Sequence, residues 1–108
     1  METAYYQAAR YPSKTAAGKA YKPLQQLIHD ENCDLSAYRY FSVEEHAWFV
    51  VVIGEKPPHY IQAQLTKLLK KGEVVTLDDV TITVLLARRL QQIQQGDWVE
   101  GHYDTPDD

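Results

Sequence analysis

Apolar positions recur with helical spacing most clearly between Pro57 and Lys71, where Ile61, Leu65, Leu68 and Leu69 fall at i, i+4, i+7 and i+8 and make one buried stripe. Pro57 and Pro58 suit a first turn, whose N–H groups are unpaired anyway. Lys67, Lys70 and Lys71 suit the negative end of the helix dipole, and Gly72 stands where a left-handed cap is expected. A helix over about residues 57–71 follows. Just before it, Trp48-Phe49-Val50-Val51-Val52-Ile53 is an unbroken apolar run ended by Gly54, the pattern of a central strand covered on both faces. Tyr38-Arg39-Tyr40-Phe41-Ser42-Val43 is a second strand, and the two predict a hairpin over about 37–53. Glu44-Glu45 lacks the positive-φ residues of a two-residue turn, so the loop is expected to take in Val43 or His46.

Further along, Val74-Val75-Thr76-Leu77 predicts a short strand over about 74–77. Asp78 is a good N-cap for a helix over about 79–95, through Leu85, Leu86, Leu90 and Ile93 to a Gly96 cap. Val80 to Val84 also alternates at period two with β-branched residues, so a strand over 80–85 competes; the strong helix formers that follow favour the helix. In the first third, Pro23 with Leu24, Leu27 and Ile28 predicts a helix over about 23–31, closed near Asn32. A weaker helical stretch runs from Ser13 to Ala20, and Pro23 opposes its continuation. Residues 1–12 and 97–108 show no period and are expected to be flexible ends of a single domain spanning 1–108. The sum is an α+β fold, a small mainly antiparallel sheet packed with helices.

The 108 residues suffice for one core, and the single Cys33 excludes an internal disulfide. No apolar stretch is long enough to cross a membrane, and Met1-Glu2-Thr3-Ala4-Tyr5-Tyr6 lacks the pattern of a secretion signal, so a cytoplasmic location is expected. Acidic residues number 15 against 11 basic ones, which disfavours a dedicated nucleic-acid binder. The signs come in blocks, however. Residues 1–22 hold four cations and one acid, residues 56–71 hold four lysines and no acid, and residues 97–108 hold five acids and no Lys or Arg.

Specific catalytic motifs are lacking. Thr15-Ala16-Ala17-Gly18-Lys19-Ala20 misses the first glycine and the Ser/Thr of a phosphate-binding loop, and Gly54-Glu55-Lys56 misses the second acid of a nuclease site. His29, Asp30, Glu31, Cys33 and Asp34 are dense in potential metal ligands, but only His29 and Cys33 are strong ones and a closed zinc site takes four. Glu45 with His46, or Cys33 with any of His29, His46, His59 and His102, are the pairs that could do acid-base or nucleophilic chemistry. No metal and no cofactor is expected.

The 8 Tyr, 2 Trp and 2 Phe carry more information, because Tyr is favoured at interface centres. Strand aromatics most often pack under helices, so core packing is the first expectation for Tyr38, Tyr40 and Trp48; as one exposed face near Arg39, they join Trp98 and Tyr103 of the acidic tail as the interface candidates. Lys67, Lys70, Lys71, Arg88 and Arg89 are the basic-patch candidates, should the two helices bring them together. A small sheet leaves open edges, and pairing across a dimer is a natural remedy. The function favoured is a non-enzymatic protein-interaction or regulatory module that self-associates, its partner a second copy or another protein. A nucleic-acid-associated factor using basic helix faces and strand aromatics is second, and a small hydrolase or nuclease third.

Overall fold

The computed structural model describes residues 4–95. Its elements run β1 (Tyr5–Tyr11), α1 (Lys14–Asp30), β2 (Leu35–Ser42), β3 (Ala47–Gly54), α2 (His59–Leu69), β4 (Glu73–Val74) and α3 (Asp79–Gln95). All strand pairs are antiparallel, in the order β2-β3-β1-β4. Two interleaved β-α-β units in this order make a split β-α-β sheet. α1 and α2 cover one face, over Ala9, Tyr11, Ala37, Val50 and Val52. α3 covers the other, over Ala8, Tyr38, Phe49, Val51 and Ile53. The α+β class expected from the pattern is therefore the observed one, and residues 79–95 are helical throughout.

Residues 5–11, expected within a flexible end, form the inner strand β1, paired with β3 on one side and β4 on the other. Both faces of β1 are covered, so polar and apolar positions do not alternate in its sequence. Ala8 and Ala9 are small because helices press on them from opposite sides. Gln7 anchors α2 there: its Nε2 donates to the Gln62 carbonyl at 3.2 Å, and its Oε1 accepts from the Thr66 hydroxyl at 3.0 Å.

The first helix also departs from expectation. It is one 17-residue element from Lys14 with Pro23 inside, not a helix beginning at Pro23. Ser13 caps it, accepting from the Ala16 N–H at 3.1 Å, and Ala17, Ala20, Tyr21 and Leu24 bury one stripe across the proline. Burial of that stripe outweighs the missing hydrogen bond to the Lys19 carbonyl. Pro23 is exposed, so Pro23→Ala is expected to raise stability by about 2 kcal/mol, the interior proline penalty less the entropy the unfolded chain regains. Urea unfolding measures this, and a midpoint at or below that of the parent chain would contradict it.

Two turns follow the sequence more closely. Asn32 adopts φ 52 as α1 closes, and the β2–β3 loop spans residues 43–46 with His46 at φ 51. Asp78 caps α3, accepting from the Thr81 N–H at 2.7 Å, and that bond holds its carboxyl below the ordinary range. Gly72 corrects another expectation. Gly54 is the only described glycine with positive φ, so Gly72 is not a left-handed cap. A Cβ on Gly72 would lie 2.6 Å from the Tyr11 ring, and it is this close approach that requires glycine. α2 is shorter than expected, starting after Pro58, and the short strand lies at 73–74.

Candidate site at the outer edge of the sheet

β2 forms an outer edge of the sheet, and among the described residues no strand pairs with its far side. Ladder geometry fixes which of its groups face outward. The Glu55 N–H donates to the Asp34 carbonyl, which makes Asp34 and Glu55 a hydrogen-bonded pair in the same ladder as Leu35↔Gly54. Such pairs alternate, so Ser36, Tyr38, Tyr40 and Ser42 turn their main-chain groups to β3, while those of Leu35, Ala37 and Phe41 point off the edge. The same alternation sends Ala8 toward β4, consistent with the Val75 N–H donating to the Ala8 carbonyl at 3.1 Å.

A groove of about 470 Å³ runs along the start of this edge. Gln25, Ile28 and His29 of α1 wall it on one side, Arg89 and Ile93 of α3 on the other, with Leu35, Ser36 and Ala37 between. The α3 wall is pinned by Arg89, whose guanidinium donates to the Asp34 carboxylate and, at 2.7 Å, to the Asp34 carbonyl. Gly54 makes this crossing possible. At φ 155 it ends β3, and an added Cβ would sit 2.5 Å from the Asp34 carbonyl oxygen and 2.9 Å from Arg89 Nε. Ile93, which lines the groove, and Leu90, three residues before it on α3, are both more than half exposed.

The α1 flank that overhangs β2 is basic. Gly18 lies 3.4 Å, from its added-Cβ position, to the Arg39 guanidinium, and Lys14 Nζ stands 5.9 Å from the Trp48 ring centre. Lys22 follows Gly18 at i+4 and so shares this flank. Arg39 itself stacks over the Tyr21 ring at 5.1 Å.

The expected aromatic face is divided. Tyr38 and Tyr40 face α3, with Tyr40 stacked on Phe49 at 5.4 Å, whereas Trp48 lies on the α1 face against Phe41. Tyr38 is only 1% exposed, and its hydroxyl donates to Gln92 Oε1 at 3.0 Å, which places it in the core beneath α3 rather than on a free surface. The Tyr40 hydroxyl is pushed up to about 12, first by burial and then by the negative charges of Asp78 and Glu45. Trp98 and Tyr103 lie outside the described residues.

The basic candidates do not converge. α2 and α3 lie on opposite faces of the sheet, which separates Lys67, Lys70 and Lys71 from Arg88 and Arg89. Lys67 and Lys70 line a shallow hollow on α2, Lys71 lies beside the ion pairs of Arg10 with Glu45 and Glu73, and Arg89 is committed to Asp34.

Among the described residues no three His, Cys, Asp or Glu side chains gather to hold a metal. Glu45 engages Arg10, while His46 packs edge-on against Phe41. The Cys33 thiol, at the groove, is pushed up by burial and by the charge of Glu31, which keeps it protonated and a weak nucleophile. What the groove offers is therefore main-chain donors and acceptors between walls in which Ile28 and Ile93 stand among polar side chains, the chemistry of strand addition. No helix of the described residues is long and apolar enough to cross a membrane. Comparison with protein-family models, curated proteins and solved structures finds no match to this chain.

Proposed function

We propose that this chain is a non-enzymatic protein-interaction module that self-associates, with the outer edge of β2 receiving a second copy by strand addition. The observation that carries this reading is the eight-residue edge strand, whose Leu35, Ala37 and Phe41 main-chain groups point outward, those of Leu35 and Ala37 in the groove that Ile28 and Ile93 line. Edge strands of this length are ready templates for pairing unless something blunts them. Exposed Leu90 and Ile93 supply apolar surface that a second copy would cover. A two-fold pairing of β2 with β2 would join the two sheets into one.

Light-scattering mass across a concentration series tests it. The mass is expected to climb from 12.4 kDa toward twice that value, while Ile93→Glu, an exposed change within about 0.5 kcal/mol in stability, stays at the monomer mass over the same range. A parent chain that remains monomeric at high micromolar concentration, or a dimer indifferent to Ile93→Glu and to charges at Leu90, would overturn it. High salt separates this reading from a charge-driven contact, since main-chain strand pairing persists when exposed ion pairs are screened.

A further inference from the structure

The helical layer on one face of the sheet carries a charge opposite to that of the chain as a whole. Residues 12–29 and 56–72 hold seven of the eleven basic residues and none of the fifteen acids. α1, up to its last residue Asp30, and α2 lie in these segments and pack side by side over Ala9, Val50 and Val52. Burial of Ala17, Ala20, Tyr21 and Leu24 turns Lys19 and Lys22 to solvent, and burial of Ile61, Leu65 and Leu69 does the same for Lys67 and Lys70. Lys19, Lys67 and Lys70 lie toward one end of the layer, where Ser13 caps α1 and the Tyr11 hydroxyl donates to the Leu69 carbonyl at 3.3 Å. Among the described residues no ion pair engages these lysines or Lys22. Their neighbours decide the class of partner. Of the exposed large apolar side chains among the described residues, only Tyr60 belongs to α1 or α2, and its hydroxyl bonds to Glu31, past the far end of α1. Protein interfaces centre on apolar and aromatic anchors, and single-stranded nucleic acids stack on aromatic platforms, so this surface fits neither. Lys67 and Lys70 stand instead among Ala63, Gln64 and Thr66, a setting that suits phosphates, which need positive charge and hydrogen-bond donors but no apolar pocket.

We propose that the outer surface of α1 and α2 binds the phosphate backbone of a nucleic-acid duplex, with Lys19, Lys22, Lys67 and Lys70 as the contacts. The net negative charge of the chain does not oppose this, because the sheet separates this layer from α3 and all the acids lie outside the two lysine-bearing segments. Such binding is independent of base sequence and set by the release of counterions from the duplex. It does not use the β2 edge, so it stands or falls apart from self-association.

Fluorescence anisotropy of a short labelled DNA duplex, titrated with the full chain across a salt series, tests this. Four phosphate contacts predict that affinity falls about a hundredfold between about 50 and 200 mM salt. Lys19→Gln, Lys67→Gln and Lys70→Gln combined are expected to flatten the logarithmic salt slope by about three and to weaken binding at the lowest salt by at least about tenfold. All three positions are exposed, so the urea midpoint of the triple variant should stay near that of the parent. Arg88→Gln, on the α3 side of the sheet, should keep the parent's slope. Absence of binding at the lowest salt, or a slope that the triple variant leaves unchanged, would overturn the proposal. So would competition by poly-glutamate as effective, charge for charge, as competition by unlabelled duplex, since that result would make the partner an acidic polypeptide.

Discussion

Gly54→Ala is expected to cost about 3 kcal/mol or more, a large part of the stability of a domain this size. Two effects add. Gly54 sits at φ 155, where an L side chain is strained by about 1–3 kcal/mol. Its Cβ would also meet the Asp34 carbonyl oxygen at 2.5 Å, and backbone cannot swing aside as a flexible side chain could. Gly54 pairs with both Tyr5 and Leu35, so a shift there disturbs three strands together. It would also push Arg89 off Asp34 and move the α3 wall of the groove. The variant should therefore lose stability in urea unfolding and lose self-association as well. A change within about 0.5 kcal/mol would show that β3 ends differently.

Tyr38→Ala is expected to cost about 3–5 kcal/mol, as truncation of a buried aromatic does. Tyr38 is almost fully buried between β2 and α3, against Val51 across the ladder, and its hydroxyl satisfies Gln92 Oε1. Tyr38→Phe separates the two contributions: it keeps the ring and leaves that oxygen without this donor, at about 1–3 kcal/mol. Here the distinction between core and interface is sharp. A core tyrosine lowers the urea midpoint at every protein concentration, whereas an interface tyrosine would leave the monomer's stability intact and weaken only association.

Tyr38 also shows what the sequence could and could not reveal. Two aromatic strands were evident from composition, but which residues share a face depends on the loop between them. With residues 43–46 in the loop, Ser42 pairs with Ala47, so even-numbered residues of β2 lie with odd-numbered residues of β3. Tyr38 and Tyr40 consequently join Phe49 and Val51, and Trp48 joins the other face. A loop one residue different would have put all three together, because side-chain parity inverts with every single-residue slip. The α2 and α3 stripes were legible because an amphipathic helix has one dry side and one wet side, and Asp78 marked the start of α3. β1 has two dry sides, and Tyr-Tyr-Gln-Ala-Ala-Arg-Tyr has the composition of no particular element. Missing β1 also hid the site. With β1 on the far side of β3, β2 is an outer edge, and the last turns of α1 bring Gln25 and His29 along it. Charge blocks were visible from the start, yet their meaning depended on the layers: the lysines of α2 and the arginines of α3 are separated by the sheet.

The most direct test of the β2 edge as the recognition surface is a residue-resolved NMR concentration series on the parent chain. Shifts that grow with concentration are expected at Leu35, Ala37 and Phe41 and at the flanking Ile28, Leu90 and Ile93, with α2 and β4 unmoved. Concentration-dependent shifts centred on α2 or on the β4 edge, with β2 silent, would contradict the account.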